Sequence, residues 1–244
     1  GGIPDYGKTA NQTKTVPIPD GFNFDMWVGP APEAEFCPAR VGVNFRWILD
    51  YSGGQLTDWG GHHPDCAQWG LGTERTGPVA IKNQKAQWAK HPVYNTATEY
   101  YFECHYASGV KLIIANRDYR PKDEREVPWR GGVTFIGEDG WVWANRGRHD
   151  AGPKSILKEK IGPEETHLYQ SDNHVKNFID SMFSRKETVA PIEVAHRSIS
   201  LAHLGNISMR LGRDLKWDPA TEKIAGDKSA NELLSRAYRK PWVL

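Results

Sequence analysis

The strongest constraint on the fold is the order in which two periodicities follow one another along the chain. In Thr98–Tyr106, the side chains of Tyr100, Phe102, Cys104 and Tyr106 fall on one face, and those of Glu99, Tyr101, Glu103 and His105 fall on the other. That alternation marks a half-buried β-strand. Ala107-Ser108-Gly109 supplies a turn, and Val110–Ala115 predicts the returning strand. Val133–Ile136 and Trp141–Ala144 flank Gly137-Glu138-Asp139-Gly140 and predict a second hairpin. Pro78–Gln84 and Lys85–Trp88 are further strand candidates. In the last third the period changes. Val175, Phe178, Ile179, Met182 and Phe183 recur at helical spacing, with Ser171 as the expected N-cap. A second helix is predicted from Pro191 to near Gly212, with Leu201, Leu204, Ser208 and Leu211 on one face. A third is predicted from Asp227, with Ala230, Leu233, Leu234, Ala237 and Tyr238 in register and Pro241 beyond its end. Hairpins first and helices last imply an α+β fold: one open, mostly antiparallel β-sheet with helices packed on one face.

Residues 1–45 are rich in Pro, Gly, Asn and Thr and read as an irregular arm. Trp27, Phe36 and Phe45 interrupt that polarity, so the arm is expected to pack on a core formed by residues 46–244. The segment Gly1-Gly2-Ile3-Pro4 is no signal peptide and lacks a starting Met, which suggests a cut end. No strand–GxGxxG–helix unit and no βαβ alternation is present, so no dinucleotide fold is visible.

Composition narrows the function classes. The net charge is +1 with no basic run, which argues against nucleic-acid binding. No run of eighteen apolar residues exists that could span a membrane as a helix. The cysteines Cys37, Cys66 and Cys104 are odd in number and widely spaced, so buried free thiols in a reducing, cytoplasmic compartment are expected. An export signal upstream of Gly1 would change that assignment. Ten Trp residues suit either a thick sheet–helix core or a sugar platform. Trp141 and Trp143 form a sheet-face stripe that, if exposed, suits a subunit interface better than a sugar platform.

The stretch that carries chemistry is Gly53-Gly54-Gln55-Leu56-Thr57-Asp58-Trp59-Gly60-Gly61-His62-His63-Pro64-Asp65. Asp58 and His62 are four apart and would share a helix face. A carboxylate beside an imidazole fixes its tautomer and makes it a proton acceptor near neutral pH. Gly60 and Gly61 leave room for a ligand to approach the backbone. Two other readings stand beside this one. Asp58 could be a helix N-cap with His62 a satisfied polar residue. Asp58, His62, His63 and Asp65 could instead bind a metal, although adjacent histidines on a helix diverge by about 100°. Pro64 falls inside the predicted motif helix. Either the helix kinks there, or it begins near Pro64 and leaves Asp58 and His62 on the preceding turn.

The string is similar to the Gly-Gly-x-x-x-Asp-x-Gly-x-His-x-x-Asp signature of the Gfo/Idh/MocA oxidoreductases. Phe24-Asp25-Met26-Trp27-Val28-Gly29-Pro30 resembles the family's lead into its C-terminal domain. Phe45-Arg46-Trp47, Asp50-Tyr51-Ser52, Glu193-x-x-His196-Arg197, His203-Leu204-Gly205-Asn206 and Leu215-Lys216-Trp217-Asp218-Pro219 continue the resemblance in order, as in a bacterial subgroup. The resemblance implies a hydride transfer from a secondary alcohol of a sugar or cyclitol to NAD or NADP. His62 would accept the hydroxyl proton. Asp58 would orient His62 and contact a substrate hydroxyl. Arg46, Trp47, Tyr51 and His63 would line the substrate pocket. The family's Rossmann domain and its catalytic Lys are missing here, so a Rossmann domain in cis or in trans would complete the enzyme, and the bare sheet face would pair the subunits of a homo-oligomer. The alternative is a non-catalytic carbohydrate-binding or scaffold domain that lacks a cofactor domain. A metal-dependent enzyme or lyase using the His62/His63 region is a third possibility.

Overall fold

The computed structural model describes residues 3–116, 127 and 131–243. The strands are β1 (Ala80–Trp88), β2 (Ala97–His105), β3 (Lys111–Ala115), β4 (Val133–Ile136), β5 (Trp141–Asn145), β6 (Arg148–Gly152), β7 (Leu215–Asp218) and β8 (Lys223–Ile224). The α-helices are α1 (Phe24–Val28), α2 (Gln55–Gly60), α3 (His63–Leu71), α4 (His174–Ser184), α5 (Ile192–Leu211) and α6 (Lys228–Glu232). The chain divides into two units. The first comprises Gly1–Gly60, Gly77–Arg120 and Ser200–Leu244; the second comprises Gly61–Thr76 and Pro121–Ile199. The α+β class holds, with two antiparallel sheets in place of the single one expected.

The first unit is built on a five-stranded sheet in the order β3-β2-β1-β7-β8. Its central hairpin follows from the alternation in the sequence. Tyr100, Phe102 and Cys104 turn one face of β2 into the core, and Phe102 and Cys104 are fully buried. The two candidate strands at 78–88 are one strand, β1, interrupted by a bulge. Asn83 sits at the bulge with φ +56°, a left-handed conformation that Asn tolerates better than most residues. Against the core face lies α5, whose Leu201, Leu204 and Ser208 are buried as the periodicity predicts. A Cβ on Gly205 would overlap the ring of Phe102, so glycine lets the helix approach the sheet closely. Gly212, at φ +65°, follows the helix end.

Residues of the N-terminal segment pack on this unit. Ile3 and Ala10 lie against a buried cluster of Cys37, Ala39, Trp47, Ile48 and Tyr94. Asn44 is fully buried, and its amide donates to the Asp5 carboxylate at 2.7 Å while its carbonyl oxygen accepts from the Tyr6 N–H. The third predicted helix is cut short. Asp227 caps it as expected, accepting from the Ala230 N–H at 3.0 Å, but α6 ends at Glu232. Beyond it, Arg239 ties the tail to the end of α1: its guanidinium donates to the Gly29 carbonyl and pairs with Asp25, and its N–H donates to the Pro30 carbonyl.

In the second unit, β4, β5 and β6 form a three-stranded antiparallel sheet. Trp141 and Trp143 share a face of β5, but Trp143 is buried and Trp141 covers Gly152 on the neighbouring strand, so they do not form an exposed interface stripe. A Cβ on Gly70 of α3 would overlap the Phe135 ring on β4. Helix α4 is capped by Asn173 rather than Ser171. Its Val175, Phe178, Met182 and Phe183 remain exposed, in contrast to the expected packing on a sheet.

The face of β2 opposite the core carries a buried carboxylate. The Glu103 side chain is 8% exposed. It accepts from Tyr101 Oη at 2.7 Å, His105 Nε2 at 2.8 Å and Asn83 Nδ2 at 3.0 Å, with Lys111 Nζ at 3.6 Å. Burial alone would raise its pKa. The three hydrogen bonds and the lysine outweigh burial and hold it at about 2, against an ordinary 4.5. A depressed carboxylate stabilises the fold above its unfolded pKa, and that contribution is lost as pH falls through the folded value. Glu103→Gln should therefore cost about 1–3 kcal/mol at neutral pH. In urea titrations the gap between wild type and variant should narrow as pH falls from 4.5 toward about 2. A gap that does not change with pH would mean the charge is not what stabilises the site.

Candidate active site

The site begins with a tight chain reversal. Gly54 has φ +77°, and a Cβ there would lie 2.6 Å from Thr96 Cβ. A Cβ on Gly53 would lie 2.7 Å from Asn206 Nδ2. Both glycines are required by packing. The loop they form is held from several sides. Asn206 on α5 donates to the Gly53 carbonyl at 3.0 Å, and the Gly54 N–H donates to the Arg46 carbonyl at 3.0 Å. Thr57 Oγ1 accepts from the Gly53 N–H at 3.1 Å. Upstream, Arg236 donates to the Asp50 carbonyl at 2.8 Å. These bonds fix the start of α2, which carries Asp58.

Asp58 is neither a cap nor free. Its Oδ1 accepts from Arg46 Nε at 3.0 Å, both side chains are about one-third exposed, and Arg46 also donates to the Val43 carbonyl. This ion pair was not visible from the sequence, where Arg46 stood only as a pocket candidate. Tyr51 is half-buried, with its ring edge-on to Trp27 at 5.1 Å. Burial raises its pKa, and the nearby Arg40 guanidinium works against that rise. Trp47 corrects the sequence reading. It is 2% exposed, sits in the core cluster and donates its indole N–H to the Pro4 carbonyl at 3.0 Å. Its role is to anchor the N-terminal segment rather than to line an open pocket.

Of the two arrangements expected around Pro64, the second holds: a helix begins beside the proline and Asp58 and His62 lie ahead of it, with Asp58 on a short helix of its own. α2 ends at Gly60 and α3 starts at His63, with His62 as its N-cap at φ −118°, ψ −83°. Pro64 stands in the first turn of α3, where the missing N–H costs nothing. Asp58 and His62 therefore do not share a helix face. Asp58 belongs to the first unit, and His62 and His63 belong to the second.

Within the second unit His62 is exposed and His63 half-buried. Burial pushes the His63 pKa down, the charges of Arg146 and His62 add to this, and the neighbouring Asn145 amide opposes it. Asp65, in the first turn of α3, accepts from Ser198 Oγ at 2.6 Å. Among the described residues no three His, Cys, Asp or Glu side chains converge on a metal-sized site. Asp58 and Asp65 are instead engaged with Arg46 and Ser198.

Gly54→Ala should be among the most damaging single changes in this region. It combines a left-handed backbone with a clash, for a loss of about 2–4 kcal/mol. Chemical denaturation checks this, and a variant as stable as wild type would show that the loop can relax.

The model for the oxidoreductase family C-terminal alpha/beta domain matches residues 5–244. No curated protein matches the chain. With a match that spans nearly all of its length, the chain belongs to the Gfo/Idh/MocA oxidoreductase family, as its C-terminal alpha/beta domain.

Proposed function

We propose that this chain is the substrate-binding half of an NAD(P)-dependent oxidoreductase acting on a secondary alcohol of a sugar or cyclitol. The family match over residues 5–244 carries the reading, with Asp58 and His62 standing in the family-like signature. His62 accepts the hydroxyl proton, a task for which imidazole is suited at neutral pH. Asp58, held by Arg46, contacts a substrate hydroxyl. Arg46, Tyr51 and His63 contact the substrate; with its pKa held down by burial, His63 serves as a neutral hydrogen-bonding group.

The cofactor does not fit this chain's own residues. Every strand pair among the described residues is antiparallel, and no glycine-rich turn leads from a parallel strand into a helix. NAD or NADP would be held by a Rossmann domain in cis or in trans, and the chemistry assigned here stops at the proton. A homo-oligomer paired through a sheet face belongs to the same reading. No helix among the described residues is long and apolar enough to cross a membrane. The three cysteines are unpaired, Cys37 and Cys104 buried as expected and Cys66 exposed against expectation, and free thiols suit a reducing, cytoplasmic setting.

The lack of a dinucleotide element among the described residues also favours a second reading, a non-catalytic carbohydrate-binding or scaffold domain. One assay separates the two. Sugars and cyclitols are offered with NAD+ and NADP+ to the chain joined to a Rossmann domain, and reduced cofactor is followed by absorbance. His62→Ala should lower turnover roughly a hundredfold or more, and Asp58→Asn should lower it with the fold intact. An unchanged rate in His62→Ala removes His62 from the chemistry. Sugar binding with no turnover in any combination supports the binding domain.

A further inference from the structure

The three-stranded sheet of the second unit bears an open cavity of about 590 Å³, a size that takes a small-molecule ligand. Gly131, Trp143, Asn145, Arg148, His149 and Asp150 line it. Its floor is fixed. Trp143 Nε1 and Asn145 Nδ2 both donate to the Gly131 carbonyl at 3.1 Å, which locks an aromatic ring and an amide in place on neighbouring turns of the pleat. The side chain of Asn145 also neighbours the imidazole of His63, so the cavity adjoins the histidine pair of the motif within this unit.

The walls carry one guanidinium, Arg148, and one carboxylate. The only carboxylate among the named lining residues is Asp150, and it is already engaged: Oδ1 accepts from the Ala151 N–H at 2.8 Å and pairs with the Lys154 ammonium. Arg148 has no carboxylate partner among the described residues, and His149 stands next to it at the exposed rim. A guanidinium in this position offers a planar donor fork suited to a carboxylate or phosphate, and Trp143 and Asn145 offer ring and amide surface beside it.

We propose that this cavity binds the anionic group of an acidic carbohydrate, a carboxylate or phosphate ester, with Arg148 as its counter-ion. That an anion binds follows from the cavity alone. That the anion is carried by a carbohydrate rests on the oxidoreductase reading above.

The test is calorimetric titration of the full chain with hexuronates, hexose phosphates and the matching neutral hexoses, with acetate and inorganic phosphate alongside. At least one class of acidic sugar should bind about tenfold or more tightly than its neutral counterpart. It should also bind more tightly than the bare anion and more weakly as salt is raised. Which class wins distinguishes carboxylate from phosphate. Arg148→Gln should abolish the preference and Arg148→Lys should keep part of it; Arg148 is exposed, so neither change threatens the fold. Neutral sugars binding as tightly as acidic ones, no binding of any anion, or an unchanged preference in Arg148→Gln would each overturn the proposal. Bare acetate or phosphate binding as well as the sugars would overturn its carbohydrate part. The two readings fail separately. Acidic-sugar preference without turnover in the joined enzyme would sink the oxidoreductase reading and keep the site, whereas turnover with no such preference would do the reverse.

Discussion

Where α5 crosses β2, the absence of a side chain on Gly205 admits the ring of Phe102, and the next residue, Asn206, donates to the Gly53 carbonyl. Two adjacent positions on one helix thus set both the helix–sheet distance and the path of the loop ahead of α2. Because the Gly53 and Gly54 sites are filled by Asn206 and Thr96, the loop has one packed position open to it. Asp58 inherits that position through α2, and Arg46, whose carbonyl receives the Gly54 N–H, is tied to the same loop by its own backbone. The Asp58 carboxylate is therefore placed by contacts distant from it in sequence.

Pro64 decides the local shape of the motif. A proline in the interior of a helix would cost about 3 kcal/mol, and in the first turn it costs almost nothing. The chain takes the second option by breaking at Gly60–Gly61 and starting α3 at His63. The consequence for chemistry is that His62 adopts the non-helical backbone of a cap. The imidazole is solvent-exposed at that cap position.

Much of the framework could be read from local patterns. Tyr100, Phe102 and Cys104 alternate cleanly because β2 has one face on the core, and Leu201, Leu204 and Ser208 repeat at helical spacing because α5 covers that face. Asp227 was legible as a cap because its short side chain can reach the helix N–H groups. What escaped was set by distant partners. β6 reads Arg-His-Asp-Ala-Gly, with no strand-forming pattern of its own, and exists because β5 offers it an edge. β7 is only four residues long and pairs with β1 at Ala80 and Ile81. α6 stops early because Arg239 draws the tail toward α1. At the site, the residue types at 46, 58, 62 and 63 were legible. That Arg46 pairs with Asp58, and that Trp47 is swallowed by the core, depends on contacts with Val43 and Pro4 that no spacing rule encodes.

Asp58 and Glu103 show how one fold keeps two carboxylates for different ends. A carboxylate offers about four acceptor positions. Glu103 spends its capacity on Tyr101, His105 and Asn83, adds Lys111 at longer range, and is 8% exposed, so nothing is left with which to meet a ligand. Asp58 has one ion-pair partner, through Oδ1, and is 31% exposed on its side chain. Arg46 offsets its charge enough to keep the carboxylate in a partly desolvated place, yet Oδ2 can still accept from a hydroxyl. Satisfaction makes Glu103 a structural strut. Asp58 retains acceptor capacity beside a cation that limits the cost of its partial burial.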